Sequence, residues 1–216
     1  MSSPPTLEHE RRHFAFGAVA GLDEVGRGAL AGPVMVGVVS LRREKDVPQL
    51  LRDSKLLTPQ RRETLAPVLR DWADEWAVGS ASNVEIDEWG IRIALAVAAD
   101  RALSALDQRP DHLMIDGPLN LLRAPVNIPI GVVAPPAIQF ADVSATMLVK
   151  GDQFSATVAA AAVIAKVERD HLMVQLGKEF PEYGWAGNKG YGSAGHRDAI
   201  VRCGPSPHHR VSWNLT

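Results

Sequence analysis

The sequence predicts an α/β protein whose mixed central sheet is flanked by helices. Short apolar segments of strand length recur along the chain, the first two at 18–22 and 34–41. Between and after them lie longer segments of helical character, and 156–177 is rich in alanine, the strongest helix former. Strands that precede and alternate with helices are typical of a layered α/β domain. A small helical region is expected near the C-terminus, around 196–203.

Composition limits the class of protein. The chain has 216 residues, 46% hydrophobic and 22% charged, which suits one folded domain at 15–216 after a disordered tail at 1–14. A net charge of −2 gives no global sign of nucleic-acid binding, so such a partner would need a local basic surface. The single cysteine, Cys203, excludes an internal disulfide and fits a reducing cytoplasm. No segment is apolar enough to span a membrane, and we expect a cytoplasmic monomer.

The first half of the chain has clear boundaries. Residues 34–41 follow a Gly-Pro turn and predict a second strand, and 76–82 predict a third. Thr58 is placed to cap a helix at 60–75, with Pro59 at the first helical position. Asn83 is expected to cap one long helix that runs to about residue 106.

The second half is less regular. A short strand at 112–115 is expected to end on Asp116. The proline-bearing segment 117–149 predicts one or two strands joined by extended loops, with apolar runs at 128–133 and 146–149. The glycine-rich segment 183–195 predicts a mobile or tightly turned loop.

Residues 21–28 read Gly-Leu-Asp-Glu-Val-Gly-Arg-Gly and carry the strongest functional signal. Asp23 and Glu24 end a buried strand, and a buried carboxylate is costly unless a partner such as a divalent cation neutralises it. Gly26 and Gly28 let the backbone approach a ligand, and Arg27 offers rigid donors to a phosphate. This pattern favours a metal site beside an anion site. The alternative is a solvated strand end followed by a turn.

Acidic residues recur just after other apolar segments. Asp116 ends 113–116, and Asp152 follows 147–149. If these strand ends are neighbours, the acids share one pocket, where hard oxygen ligands favour Mg²⁺ or Mn²⁺. Two such ions are a common means of phosphoryl displacement. Taken alone, Asp116 also suits a turn and Asp152 the N-cap of the next helix, while Asp170 suits a surface ion pair with Arg169 or Lys166.

Together these motifs resemble bacterial ribonuclease HII, the type 2 ribonuclease H. The resemblance extends in family order from about residue 17 to 213. It is carried by the segments 21–28, 53–56, 86–88, 115–117, 149–152, 164–170, 183–184, 189–191 and 209–210.

The resemblance implies an RNase H-like fold and metal-dependent cleavage of RNA in RNA–DNA hybrids. It also implies incision on the 5′ side of single ribonucleotides in duplex DNA, leaving 3′-hydroxyl and 5′-phosphate ends. By position, the catalytic acids that would bind Mg²⁺ or Mn²⁺ are Asp23, Glu24, Asp116 and Asp152.

The same resemblance implies the substrate contacts. Gly26, Arg27 and Gly28 would read the 2′-hydroxyl that distinguishes RNA from DNA. Tyr191 would stack on the sugar of the next deoxynucleotide. Backbone phosphates would be held by Ser54, Lys55 and Lys189.

Three features depart from the family pattern. Alanines stand at Ala159 and Ala162, where serines that grip the substrate are usual, and Asn188 replaces a frequent histidine. The segment between Asp116 and Asp152 is also longer than expected. These departures put affinity and substrate preference in question and leave the four acids intact.

Two other functions compete with this interpretation. One is another two-metal nuclease of the same fold, which would not need to sense a 2′-hydroxyl. The other is a non-catalytic module that binds hybrids. His208 and His209 suggest a metal site, but surface or helix-packing roles are expected for them. Replication or repair partners are not indicated by any motif.

Overall fold

The computed structural model describes residues 4–123 and 132–216; for Lys55 it describes the backbone only. Five strands form one sheet in the order β3-β2-β1-β4-β5. The strands β1, β2 and β3 are antiparallel neighbours, while β4 and β5 run parallel to β1. Their bounds are Val19–Val25 (β1), Val34–Leu41 (β2), Glu75–Ala81 (β3), His112–Asp116 (β4) and Ser144–Leu148 (β5). The predicted mixed sheet is confirmed.

Helices cover both faces of this sheet. The described helices are α1 (Glu8–Arg11), α2 (Pro59–Trp72), α3 (Asn83–Trp89), α4 (Ile91–Ser104), α5 (Ala156–Glu179), α6 (Trp185–Asn188) and α7 (Ala194–Cys203). One apolar core joins the sheet to α4, and a second joins it to α5 and α2. In the part of the chain that the structure describes, no helix has the length and apolar character needed to cross a membrane.

Glycines in the strands allow the helices to approach closely. A Cβ atom at Gly37 would lie 2.5 Å from the Ala161 carbonyl oxygen of α5. A Cβ atom at Gly79 would lie 2.1 Å from the Ala98 carbonyl oxygen of α4. Since such distances are shorter than any ordinary contact, only glycine permits this spacing at either position.

The N-terminal segment differs from the predicted disordered tail. Thr6 forms a short bridge with Ser155, with hydrogen bonds from Thr6 N to Phe154 O (3.0 Å) and from Ala156 N to Thr6 O (2.8 Å). Leu7 is buried, and α1 follows with Glu10 fully buried. The prediction was wrong for the described part because buried contacts order this segment; residues 1–3 lie outside the described residues.

Helix boundaries account for the remaining differences. The predicted helix at 83–106 is two helices, α3 and α4, because Gly90 has a φ of 77° that ends the first. Ser82, rather than Asn83, caps α3 in a capping box with Glu85. Thr58 caps α2 as predicted, although α2 ends at Trp72.

In the second half of the chain, Ser155 rather than Asp152 caps α5. The predicted apolar run at 128–133 lies mostly outside the described residues. Its described part, 132–133, is not a strand. The strand β5 accounts for the run that was predicted at 146–149.

Candidate active site

The carboxylates of β1 and β4 meet at one edge of the sheet. Leu22 and Ile115 are partners in the parallel β1–β4 pair, so the next residues, Asp23 and Asp116, lie at the same level. Asp23, Glu24 and Asp116 line one cavity of about 260 Å³. Three of the four predicted acids are therefore brought together.

The environment of Glu24 is both buried and charged. Burial raises the pKa of the Glu24 carboxyl, Arg27 opposes this shift, and the negative charge of Asp116 adds to it. Arg27 Nη1 lies 3.4 Å from Glu24 Oε1, while the Arg27 side chain is 58% exposed. A cation between Glu24 and Asp116 would compensate the negative charge of both carboxylates.

Asp152 lies next to this cavity rather than in its lining. It is only 1% exposed and belongs to the short 3₁₀ turn Gly151–Gln153 after β5. The backbone N–H of Gly151 donates to Asp116 Oδ1 at 2.7 Å. The turn that carries the fourth acid is thus attached directly to the third acid.

The acids suit a hard divalent cation by chemistry. No group of three His, Cys, Asp or Glu side chains in residues 4–123 and 132–216 is already arranged to hold a metal ion. The cavity nevertheless offers oxygen ligands from three carboxylates, the donors that Mg²⁺ and Mn²⁺ prefer. The donor types therefore fit such an ion.

Two buried arginines shape the loop that follows the first acids. Arg210 donates to the carbonyl oxygens of Gly26 (2.7 Å) and Arg27 (2.8 Å). Arg169 of α5 packs against Gly26, where an added Cβ would lie 2.0 Å from Arg169 Nε. Gly26 has a φ of 82°, whereas Gly28 faces open space. Arg169 and Arg210 thus hold the backbone of this loop in place, and residues 26–28 also line the cavity.

The same arginines join this loop to Tyr191. Arg169 donates to the carbonyl oxygens of Ala31 (3.1 Å) and Lys189 (2.9 Å), so it bridges the 26–33 loop and the 189–191 turn. The Tyr191 ring lines the cavity and lies 5.5 Å from the Arg169 guanidinium. Burial lowers the pKa of Arg210 to about 9, and the charge of Arg169 adds to this effect.

The C-terminal segment that carries Arg210 is anchored to α3. Asn83 donates to the carbonyl oxygens of Pro207 (2.9 Å) and His209 (3.1 Å). Asp87 accepts from the backbone N–H groups of Val211 (2.9 Å) and Ser212 (3.0 Å). These contacts explain the 86–88 motif as structural support for the site.

The structure places only some of the predicted phosphate-binding residues at the cavity. Ser54 lines the cavity, whereas the Lys55 side chain lies outside the described residues. Lys189 does not line the cavity, and its ammonium donates to the Ala186 carbonyl. Two cations that were not predicted, Arg62 and Lys166, do line it.

Arg62 and Lys166 share a carboxylate. Lys166 Nζ lies 2.6 Å from Asp170 Oδ1, which confirms the pairing predicted with Lys166, although both side chains are largely buried rather than on the surface. Arg62 Nη2 lies 3.8 Å from Oδ2 of the same carboxylate. Lys166 stands in the 164–170 motif, one turn after Ala162, and that spacing was the available signal. Arg62 gave no local signal, because only the packing of α2 against α5 brings it here.

Two departures from the family pattern have different surroundings. Ala162 lines the cavity, but Ala159, also on α5, is fully buried in the core that joins α5 to the sheet. Asn188 supports its own turn, donating to the Tyr183 carbonyl (2.7 Å) and accepting from Gly190 N (2.8 Å). His209, predicted to have a surface or packing role, is 1% exposed and hydrogen-bonded.

The fold and the acid-bearing sheet edge define the class of protein: an α/β protein of the RNase H-like fold. The structure of ribonuclease H2 from Pyrococcus horikoshii superposes with a TM-score of 0.71 at 27% identity, covering 92% of this chain and 94% of that one. A ribonuclease HIII (Bst-RNase HIII) in complex with Mn²⁺ superposes with a TM-score of 0.64 at 20% identity, covering 92% and 67%. The second likeness concerns the fold alone.

Sequence comparison then identifies the family. The family model for ribonuclease HII matches residues 20–216. Ribonuclease HII of Streptomyces avermitilis is 46% identical over 215 residues, covering 97% of this chain and 84% of that protein. Ribonuclease HII of Ruegeria is 44% identical over 208 residues, covering 96% and 82%. The chain belongs to the ribonuclease HII family, and it is a ribonuclease H.

Proposed function

We propose that this endonuclease hydrolyses the RNA strand of RNA–DNA hybrids and incises duplex DNA on the 5′ side of single embedded ribonucleotides, leaving 3′-hydroxyl and 5′-phosphate ends. The observation that carries the proposal is a single cavity whose lining includes both the carboxylates of Asp23, Glu24 and Asp116 and the 26–28 loop. Carboxylates beside a glycine-flanked backbone suit a phosphodiester next to a 2′-hydroxyl.

The catalytic role of the acids depends on divalent cations. Asp23, Glu24, Asp116 and Asp152 are the residues that would hold Mg²⁺ or Mn²⁺. Bound there, two ions would activate water and stabilise the leaving oxygen of an in-line displacement. Arg27 contributes a positive charge beside Glu24 (3.4 Å) on the exposed side of the cavity, where it would attract the phosphate backbone.

In this proposal the 26–28 loop and Tyr191 select the ribonucleotide. Because Gly28 has open space beyond its Cα, its backbone is accessible to a sugar. Tyr191 is 37% exposed and lines the same cavity, so its ring is available to stack. Arg62 and Lys166 add positive charge at the cavity wall, where together with Arg27 they offset the charge of the acids.

The test uses a DNA duplex with one internal ribonucleotide, incubated with Mg²⁺, Mn²⁺ or EDTA, beside an all-DNA duplex. We expect metal-dependent nicking 5′ to the ribonucleotide and an intact all-DNA duplex. Asp23→Asn should abolish nicking. Asp142→Asn, which removes an exposed carboxylate paired with Arg109, should not.

Two results would oppose the proposal. Equal nicking of the all-DNA duplex would indicate a two-metal nuclease that does not sense the 2′-hydroxyl. Tight binding without nicking under every metal condition would indicate a non-catalytic module that binds hybrids.

A further inference from the structure

Two buried histidines lie close to the segments that carry Tyr191 and Arg210. The proposed mechanism uses neither histidine. His196 of α7 is 0% exposed and His209 is 1% exposed. Their Nε2 atoms lie 3.0 Å apart. Because two ring nitrogens at this distance cannot both be protonated without repulsion, their hydrogen-bond partners determine where each proton resides.

The partners of His196 determine its tautomer. The indole Nε1–H of Trp185 donates to His196 Nε2 at 3.0 Å. An indole nitrogen is only a donor, so His196 Nε2 must be an acceptor and the ring proton resides on Nδ1. That Nδ1–H donates to the Tyr191 carbonyl oxygen at 2.9 Å.

The partners of His209 determine the complementary tautomer. The backbone N–H of Ser206 donates to His209 Nδ1 at 2.8 Å, so this nitrogen is an acceptor. The proton of His209 then resides on Nε2, which donates to His196 Nε2. When both rings are neutral, each of these contacts joins a donor to an acceptor, and Trp185 Nε1–H and His209 Nε2–H share the single lone pair of His196 Nε2. Burial lowers the pKa of His196 and of His209, which agrees with this state.

The two ends of the histidine pair connect to two segments that line the cavity. His196 holds the carbonyl of Tyr191, whose ring is the proposed stacking surface. His209 precedes Arg210, which donates to the carbonyl oxygens of Gly26 and Arg27 in the proposed 2′-hydroxyl loop.

We propose that His196 and His209 are positioning residues, which hold Tyr191 and the 26–28 loop at the separation that a ribonucleotide followed by a deoxynucleotide requires. This inference rests on the proposed function. It assigns substrate selection in part to two histidines that contact no substrate.

Two substitutions at His196 separate its two hydrogen bonds. His196→Gln places an amide near Nε2, so it keeps an acceptor for Trp185 and His209 but loses the donor to Tyr191. His196→Asn places an amide near Nδ1 and keeps that donor. We expect His196→Gln to raise KM for the single-ribonucleotide duplex about threefold to tenfold, with kcat within about twofold. His196→Asn should raise KM less.

The matched control is His208→Gln. The His208 ring lies in the same cluster, where it packs edge-on against Phe180 and Trp185. His208→Gln should leave KM within about twofold, since the cost of a lost edge contact is small.

A double-mutant cycle distinguishes positioning from loss of stability. If His196 acts through Tyr191, His196→Gln should have little further effect on KM in a Tyr191→Ala background. An equal rise of KM in both backgrounds, or a fall of kcat at unchanged KM, would overturn the inference.

A spectroscopic test is independent of turnover. Tyr183 and Tyr191 are the two tyrosines of the chain, so protein labelled with 3-fluorotyrosine should give two ¹⁹F signals, assigned with Tyr191→Phe. His196→Gln should shift or broaden the Tyr191 signal, and His208→Gln should not. An unchanged Tyr191 signal in His196→Gln would overturn the inference. Failure of the unaltered enzyme to nick would instead overturn the proposed function.

Discussion

At the scale of single residues, two glycines that are two positions apart, Gly26 and Gly28, have opposite tolerances to substitution. A Cβ at Gly26 would overlap Arg169 Nε, and the φ of 82° adds backbone strain. Arg169 cannot move away easily because it is buried and donates to three carbonyl oxygens. We expect Gly26→Ala to lower the free energy of unfolding by about 1–3 kcal/mol, measured by urea denaturation.

Gly28→Ala is the matched control for this prediction. A Cβ there meets open space, so stability should stay within about 0.5 kcal/mol of the unaltered protein. Nicking at a single ribonucleotide should nevertheless fall, because the added methyl group occupies the position proposed for the sugar. Equal loss of stability in both variants would contradict the account of Arg169.

The two alanines of α5 form a second residue-scale pair. Ala162 lines the cavity, so Ala162→Ser would place a hydroxyl within reach of a substrate phosphate. One added hydrogen bond of about 0.5–1.5 kcal/mol should lower KM about twofold to tenfold. Ala159→Ser should leave KM unchanged, since Ala159 is buried in the core. Steady-state kinetics on one duplex compares the two variants, and a lower KM for Ala159→Ser alone would refute this assignment.

At the scale of elements, α1 stabilises the start of α5. Glu10 Oε1 accepts from Ser155 Oγ (2.6 Å), Thr157 Oγ1 (2.8 Å) and Thr157 N (3.0 Å). Glu10 Oε2 has no hydrogen-bond partner among the described residues. A carboxylate at a helix N-terminus also interacts favourably with the helix dipole. The N-terminal segment therefore stabilises the helix that begins four residues after Asp152.

We expect Glu10→Ala to lower the free energy of unfolding by about 1–3 kcal/mol, because buried donors would lose their acceptor. Glu10→Gln should cost less, since its amide oxygen still accepts. Glu8→Ala, at an exposed position on the same helix, is the control and should have little effect. Urea denaturation at neutral pH provides the comparison. Equal stability of Glu10→Ala and Glu8→Ala would show that α1 does not support α5.

Sequence reasoning succeeded where the signal was local. Strand β2 and the Thr58 cap of α2 follow from neighbouring residues alone. The break at Gly90 was missed because the apolar periodicity continues across it, although a glycine in a helical pattern costs stability. The docking of α1 was missed because its partners, Ser155 and Thr157, lie about 145 positions away.

At the scale of the whole molecule, the same distinction applies to the site. Asp23, Glu24 and Asp116 were predicted because each ends a visible apolar segment. Arg210 was given no role, because it lies 183 positions from the Arg27 carbonyl that it binds, and Arg169 was considered only as an ion-pair partner of Asp170. Both ends of the described chain thus support the site, α1 behind Asp152 and the C-terminal segment behind the 26–28 loop.

Two buried histidines make the stability of the whole fold depend on pH. Burial lowers the pKa of His112 to about 4, with a further contribution from His13, whose ring stacks on it at 3.5 Å. Burial and the charge of His196 lower the pKa of His209 to about 4. In the unfolded chain both would titrate near 6.5. Below pH 6.5 the unfolded state therefore binds protons that the folded state does not, so stability is lost as pH falls from 6.5 toward 4.

We expect the free energy of unfolding to decrease between pH 6.5 and 5, a window above most carboxylate titrations, with each histidine contributing up to about 1.4 kcal/mol per pH unit. His209→Gln and His112→Gln should each reduce this slope, and the double variant should reduce it further, because the two side chains lie in separate parts of the fold. Urea denaturation at four pH values measures the slope directly. If all four proteins lose stability at the same rate, other groups carry the proton linkage, and the neutral state assigned to the His196–His209 pair loses its thermodynamic support.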